Sequence, residues 1–272
     1  MAKTIFITGA SRGLGLIWAE AFLKRGDRVV VAVRNPDALT DLSKKYLSTL
    51  LVLQLDVTDK AACFDVIAKA REHFGIIDVL INNAGYGHTG AIEELEEQEI
   101  RKQFETNVYG VLWLTQAVIP FMRQQKSGHI IQVSSALGLL AFPTLGLYSA
   151  SKFAVEGISE ALAAEVSSFG IKVSILEPNG FTTDFATTSG IQSKPLALYD
   201  EVRNGLAAGN KAEDWGVPEA TAEAVLKLVD AENPPLRLLL GRVGIQWIKN
   251  AYDQRMKTWE EWQDVSVAAQ GN

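Results

Sequence analysis

Thr4-Ile5-Phe6-Ile7-Thr8-Gly9-Ala10-Ser11-Arg12-Gly13-Leu14-Gly15 decides the fold. Thr4–Thr8 is a short apolar run rich in β-branched and aromatic residues, the composition of a strand. Leu14–Lys24 has helical spacing. The glycines between them let the backbone turn tightly and approach a ligand closely. A helix that starts there turns its free N–H groups, and the positive end of its dipole, toward any phosphate in the turn. The spacing Gly9-x3-Gly13-x-Gly15 is not the Gly-x-Gly-x-x-Gly of the common dinucleotide fingerprint. Taken alone, the stretch leaves open a turn that only joins strand to helix.

Outward from this stretch the pattern repeats. Further strand-like runs stand at Arg28–Val33, Leu50–Leu55, Val79–Asn82, His129–Ser134, Lys172–Leu176 and Arg237–Leu240. Helical patterns lie between them, for instance at Lys60–His73, Glu96–Gln124 and Ala150–Ser168, and Gly26 and Gly170 occupy helix C-cap positions. Strict alternation predicts a parallel sheet covered on both faces. With right-handed crossovers the expected fold is α/β: a Rossmann-type, doubly wound parallel sheet of about seven strands flanked by helices. Residues 1–272 read as one dinucleotide-binding and catalytic domain, with a substrate lid near 185–215. A helical extension at 242–272 carries Trp247, Tyr252, Trp259 and Trp262, and is expected to pack on the body, on a partner or over the cleft.

Composition narrows the function. The chain has 272 residues, 47% hydrophobic and 21% charged, with a net charge of −6, which gives nothing to a nucleic-acid backbone. The one cysteine, Cys63, excludes an intramolecular disulfide and suits a reducing compartment. Met1-Ala2-Lys3 runs straight into a strand without a leader pattern, and the uncharged stretch 130–151 is too polar to span a bilayer. A cytoplasmic protein with no membrane partner is expected. The uncharged helix Thr106–Met122 reads as buried all round, which points to a homo-oligomer, dimer or tetramer, unless neighbouring loops cover it.

The end of the second strand separates two cofactors. NAD sites place an acid there for the ribose 2′-OH. Here Arg34-Asn35 follow the strand, no carboxylate occurs before Asp37, and Arg12 adds a cation in the glycine turn. Two guanidinium groups favour a 2′-phosphate, hence NADPH/NADP+ over NADH. The plainer reading of Arg34 is a solvated charge at a strand end. Asp56 and Val57 follow the third strand, where an adenine would lie, although Asp56 or Thr58 would also serve as a helix cap. Asn82-Asn83-Ala84-Gly85 closes the fourth strand with small residues, as a nucleotide crevice or a simple turn would.

Tyr148 and Lys152 stand four apart, on one helix face. A phenol is a weak acid near pKa 10, and a neighbouring ammonium favours its ionised form. Ser135, at the end of the preceding strand, is placed to hydrogen-bond a substrate oxygen. Asn107, in the long helix, is placed to hold a water near Lys152. Singly, each has an ordinary reading as surface pair, strand-end hydroxyl or core amide.

Together these residues resemble the short-chain dehydrogenase/reductase family, over roughly Lys3 to Asp184. The matching pieces are Thr8-Gly9-Ala10-Ser11-Arg12-Gly13-Leu14-Gly15, Asn82-Asn83-Ala84-Gly85, Asn107, Ser135, and Tyr148-Ser149-Ala150-Ser151-Lys152. Ser135, not Ser134, takes the serine role, since it stands thirteen residues before Tyr148. The resemblance implies hydride transfer between nicotinamide C4 and a carbonyl carbon, with Tyr148 as proton donor and Ser135 steadying the oxygen. It implies that Lys152 binds the nicotinamide ribose and depresses the Tyr148 pKa, and that Asn107 positions a relay water. It carries cofactor contacts to Gly9, Ser11, Arg12, Gly13, Leu14, Gly15, Arg34, Asp56, Val57, Asn83, Ala84, Gly85, Tyr148, Lys152, Pro178, Phe181 and Thr183. The chain departs from the family at Pro178-Asn179-Gly180, where a glycine usually follows the proline; asparagine tolerates left-handed backbone angles.

His73, His88 and His129 are too scattered for metal spacing, so no metal is expected. The acidic run Glu93–Glu99 reads as a solvated helix start. Leu137, Phe142 and the rest of Leu137–Leu147 lie between Ser135 and Tyr148, and with Phe185, Leu196, Leu198, Tyr199 and Trp215 of the lid they predict an apolar cleft. The expected function is an oxidoreductase acting on a hydrophobic ketone or aldehyde, or the corresponding alcohol. Two rivals are a nucleotide-sugar epimerase, disfavoured by glycine spacing and length, and a non-catalytic NADPH sensor, disfavoured because all four catalytic residues are present.

Overall fold

Thr4–Thr8 forms strand β1, buried at all five positions, as a strand covered on both faces must be. The computed structural model describes residues 2–183, 190–209 and 211–271. After β1 the chain runs through α1 (Gly13–Arg25), β2 (Arg28–Val33), α2 (Thr40–Lys45), β3 (Leu50–Gln54), α3 (Lys60–Phe74) and β4 (Val79–Asn82). Then come β5 (His88–Thr89), α4 (Glu97–Phe104), α5 (Gly110–Gln125), β6 (Gly128–Val133), α6 (Gly146–Val166) and β7 (Ile171–Pro178). The last part holds β8 (Ile191–Gln192), α7 (Asp200–Gly209), α8 (Thr221–Asp230), β9 (Arg237–Leu240), α9 (Gly244–Glu261) and α10 (Gln263–Ala268).

The main sheet has seven strands in the order β3-β2-β1-β4-β6-β7-β9, and every pairing in it is parallel. This is the expected doubly wound sheet. Alternate residues of each strand feed opposite layers. Ile5, Ile7, Val29 and Val31 pack with Trp18 and Phe22 of α1 and Val225 of α8. Phe6, Val30 and Ile130 pack with Ile67 of α3, Leu114 and Val118 of α5 and Leu162 of α6. Each fully buried side chain of this size contributes roughly 1.5–3 kcal/mol. The Trp18 indole also donates to Thr221 Oγ1 at 2.8 Å, which ties α1 to the start of α8. Strand order reverses between β1 and β4. The connections that leave their carboxyl ends run to opposite sides there, the switch point at which such sheets bind ligands.

The structure differs from the sequence reading in four places. The expected helix Glu96–Gln124 is α4, a π-turn over Glu105–Tyr109, and α5. Helix α6 begins at Gly146, four residues before the expected Ala150, so Tyr148 already sits in its first turn. Asn179 is not left-handed: the only non-glycine residues with positive φ among the described residues are Lys126 and Thr144. Its backbone N–H donates to Leu240 O at 2.9 Å, and its side-chain amide donates to Gly180 O and Asp214 O. Finally, the long helix is not buried all round. Tyr109 is 41% exposed and stacks on the half-buried Trp113 at 6.1 Å, and the Lys60 ammonium covers the Trp113 ring at 4.4 Å. Helix α5 has one face on the sheet and a flank on α3, which leaves this strip facing outward.

The C-terminal extension is helical, as expected. Its first half packs on the body: Trp247 meets Phe142 edge-on at 5.5 Å, and Arg255 Nη1 donates to Leu139 O at 3.1 Å. Residues 256–271 are all exposed, including Trp259 and Trp262. Among the described residues no helix is long and apolar enough to cross a membrane.

Candidate active site

The glycine turn lies at the carboxyl end of β1. Gly9 has φ +66°, and a Cβ there would stand 2.7 Å from Ala84 Cα. A Cβ on Gly15 would stand 2.4 Å from Asn83 Nδ2. The turn is therefore pressed against the Asn83-Ala84 loop with no room for side chains. Asn83 Nδ2 donates to Thr8 O at 2.9 Å and Gly9 O at 3.1 Å, while Thr8 Oγ1 accepts from Asn83 N and Ala84 N, both at 3.0 Å. Asn83 thus clamps the turn from behind, and Thr8 is its reciprocal partner. Sequence reasoning assigned Thr8 no role, although it stood inside the quoted motif.

Helix α1 starts in a form suited to an anion. Arg12 at its N-cap is extended, makes no side-chain cap bond, and the first turn contains no acid. The amide N–H groups near Gly13, Leu14 and Gly15 are left for a ligand. Thr183 faces this turn, with its Cβ 3.9 Å from where a Gly13 Cβ would be. Arg12 and Arg34 are exposed, and no carboxylate pairs with either among the described residues. Asp37 sits beyond Arg34 in a short 3-10 turn capped by Asn35. Asp56 accepts from Thr58 N and Thr58 Oγ1, while Asp59 caps α3, so Asp56 is not that helix's cap. Val57 is buried against Gly110. The cradle and the uncapped helix start together fit a dinucleotide.

The catalytic candidates gather at the carboxyl ends of β4, β6 and β7. Tyr148 is 7% exposed. Burial pushes its phenol up to about 12, and a hydrogen bond with Ser135 opposes the shift. Ser135 Oγ also accepts from Leu137 N at 3.1 Å and donates to Pro178 O at 3.3 Å. Lys152 Nζ lies 5.7 Å from the Tyr148 ring centre and donates to Val133 O at 2.9 Å. Burial pushes Lys152 down to about 8, opposed by the charge of Glu156. The expected lowering of the tyrosine by the lysine is not what dominates here. Desolvation of the phenol wins, and Tyr148 stays protonated at neutral pH, the form a proton donor needs.

Asn107 lies in the π-turn, a helix defect common at functional positions. Its Oδ1 accepts from Tyr86 N at 3.1 Å, and its Nδ2 donates to Tyr86 O at 3.0 Å and Ser151 Oγ at 3.2 Å. A Cβ on Gly85 would stand 3.1 Å from Asn107 Oδ1 and 3.7 Å from Lys152 Nζ. Gly85 therefore lies against both side chains, with little room for a side chain of its own. Tyr86 and Ser151, which hold Asn107, carry no signal of their own in the sequence.

The substrate side is built less as expected. Phe142 is half-buried against Trp247, and Leu137 is half-buried beside Ser135. Phe185 lies outside the described residues. Phe181 is 8% exposed with its ring over Gly216, while the Trp215 ring covers Gly180 in return. The Phe181 ring is part of the core, so only its backbone is left to meet a ligand. Leu198 is 82% exposed. The acidic run is not simply a solvated helix start. Glu94 is 7% exposed, accepts from Leu196 N at 2.7 Å and Arg203 Nη1 at 2.6 Å, and is held down to about 2 by these bonds. Glu99 accepts from Ser193 Oγ at 2.6 Å, and His88 reaches the same hydroxyl at 2.7 Å. These acids fasten the segment around 193–203 to the body. No group of three metal-binding side chains forms among the described residues.

Residues 3–194 match the family described as short chain dehydrogenase. The chain is 40% identical to "Oxidoreductase BOA17" of Botryotinia fuckeliana over 99% of this chain and 100% of that one. It is 38% identical to a "3-ketodihydrosphingosine reductase" of Bacteroides thetaiotaomicron over 88% of each. It superposes on the crystal structure of a short-chain dehydrogenase from Streptomyces avermitilis with a TM-score of 0.91 and 38% identity, covering 98% of both chains. The protein belongs to the short-chain dehydrogenase family of oxidoreductases, which work with a nicotinamide cofactor.

Proposed function

We propose that this protein is an NADPH-dependent carbonyl reductase that converts a hydrophobic ketone or aldehyde to an alcohol, with Tyr148 as proton donor. The observation that carries the reading is the buried Ser135–Tyr148–Lys152 group next to the glycine cradle. NADPH, once bound, supplies the hydride. Ser135 Oγ holds the substrate oxygen, and Tyr148 gives that oxygen its phenolic proton. Lys152 holds the ribose hydroxyls and presents a positive charge beside the tyrosine. Asn107 fixes the Gly85-Tyr86 backbone alongside. Arg12 and Arg34 take the 2′-phosphate; Gly9, Ser11, Gly13, Leu14 and Gly15 the pyrophosphate; Asp56 and Val57 the adenine; Pro178, Phe181 and Thr183 the nicotinamide side. A relative whose name describes reduction of a ketone on a sphingoid chain supports the apolar substrate class. The same reading takes residues 1–272 as one catalytic unit and the protein as a cytoplasmic homo-oligomer. The buried free thiol of Cys63 and the outward Tyr109–Trp113 strip support the last two points.

The test is NADPH and NADH oxidation against a panel of alkyl and aryl ketones and aldehydes. Turnover of apolar carbonyls with NADPH preferred is the expected result; turnover of small, highly charged substrates alone would sink the reading. A pH profile is also fixed by the site. Burial pushes Lys152 down to about 8, so kcat/KM for reduction, which reports the groups of the free enzyme, is expected to fall with an alkaline limb near that pH. A profile flat to pH 10 would contradict this assignment. Contact between α9 and the cleft loop gives a further expectation. Trp247→Ala removes the edge contact that steadies Phe142, and KM for an apolar ketone is expected to rise several-fold, with NADPH affinity unchanged. Equal loss of both would mean that the substitution damages the fold as a whole.

A further inference from the structure

One helical turn beyond Lys152 stands Glu156, 4% exposed. Arg237 of β9 donates from Nε to Glu156 Oε2 at 3.1 Å and from Nη2 to Glu160 Oε2 at 2.6 Å. The same Nε lies 3.5 Å from Glu177 Oε1 on β7, and Glu177 is 1% exposed. Three carboxyl groups therefore share one guanidinium, and two of them are buried. Two buried carboxyl groups that share one cation disfavour each other's ionisation. Glu177 is the one pushed up to about 8, by burial first and then by the charge of Glu156. Glu156 is also pushed up by burial, but Ser134, Arg237 and Lys152 all favour its carboxylate. Arg237 Nε bonds Glu156 at 3.1 Å and stands 3.5 Å from Glu177, so Glu156 is the buried acid whose carboxylate the guanidinium holds. Glu156 also touches the turn that follows Ser135: a Cβ on Gly138 would stand 2.5 Å from Ser134 Oγ and 3.0 Å from Glu156 Cγ.

A buried ionic group is costly, and an apolar side chain of the same size would serve the packing at least as well. What an apolar side chain cannot do is face Lys152 with a negative charge. The Lys152 ammonium loses solvation inside the protein, and Glu156 is the one group whose charge opposes that loss. We propose that Glu156 is a positioning residue for the reaction: its carboxylate is the counter-charge that keeps Lys152 an ammonium at neutral pH, and Glu177 and Arg237 fix that charge in place. The claim for catalysis rests on the proposed roles of Tyr148 and Lys152. The charged groups facing Glu156 are Lys152 and Glu160 on α6, Glu177 on β7 and Arg237 on β9, and the end of β6 contributes the Ser134 hydroxyl.

The experiment is a nitrogen-15 NMR titration of lysine-labelled protein, with the Lys152 signal identified by its loss in Lys152→Met. Glu156→Gln is expected to move the Lys152 titration about one pH unit toward acid, and to move the alkaline limb of the reductive kcat/KM with it. Glu160→Gln, which loses only an exposed partner of the same arginine, is expected to move neither. A merely structural role would lower stability and rate while leaving the titration in place, and that result overturns the proposal. If Glu156→Gln does not fold, Glu156→Asp is read instead. Its carboxylate is drawn back from Lys152, and a smaller shift in the same direction is expected; no shift overturns the proposal. The NMR readout needs no substrate. A shifted titration without turnover would therefore count against the reductase reading alone, and turnover with an unshifted titration against the role of Glu156 alone.

Discussion

Tyr148→Phe is expected to lower the rate of carbonyl reduction by about 10³-fold, the scale of a lost general acid, and to leave NADPH binding within about two-fold of the original. The physical case is specific to this site. Phenylalanine fills the same buried space on α6, so neither packing nor the cradle at Gly9 and Gly15 is disturbed. What disappears is one hydroxyl, the group bonded to Ser135 and held protonated by burial. Its net contribution to stability is on the order of 1 kcal/mol, too little to unfold the protein. The variant therefore separates chemistry from binding. The rate is read at the cofactor absorbance with a saturating ketone, and the affinity by cofactor fluorescence. A rate within ten-fold of the original would remove Tyr148 as the proton donor. Loss of NADPH binding together with rate would mean that the phenol serves the cofactor and not the substrate oxygen.

The sheet was legible in the sequence because its inner strands β1, β2 and β4 are buried on both faces, which makes them largely apolar runs. β1, β2, β4 and β9 have the boundaries that the runs at Thr4, Arg28, Val79 and Arg237 predict. The glycine turn and the Tyr148–Lys152 pair were legible for another reason: close backbone approach and a shared helix face both impose fixed spacing. Properties that depend on what lies across the fold were hidden. Helical periodicity around Asn107 carries no mark of the π-turn or of the bonds from Asn107 to Tyr86 and Ser151 across the fold. The acids at Glu94 and Glu99 looked solvated because their partners, Leu196, Arg203 and Ser193, are about a hundred residues away. The tyrosine followed the same rule. An adjacent lysine in the sequence predicts a lowered phenol, but the depth of burial decides the direction, and burial is a property of the packed α6, β6 and β7.

The second large effect is expected at the end of β2. Arg12→Ala combined with Arg34→Asp is expected to reduce kcat/KM for NADPH by roughly 10²–10³-fold and to raise that for NADH, reversing the preference. Each charge-assisted bond to a phosphate contributes about 1.5–3 kcal/mol, and two are removed. Both arginines are exposed, so water and salt screen them, which places the effect at the lower part of the range and makes it shrink as ionic strength rises. Among the described residues no carboxylate pairs with either arginine, so their charge is left for a ligand. The aspartate adds a second effect: a carboxylate at this strand end binds a ribose 2′-OH and repels a 2′-phosphate. Asp37 does not stand at the strand end: it lies inside the turn that Asn35 caps. The measurement is the ratio of kcat/KM for the two cofactors at low and high salt. If the ratio does not move, Arg34 is a solvated strand-end charge and the phosphate preference comes from elsewhere in the cradle. If NADPH is lost with no gain for NADH, the guanidiniums recognise phosphate but β2 lacks the geometry to hold a ribose.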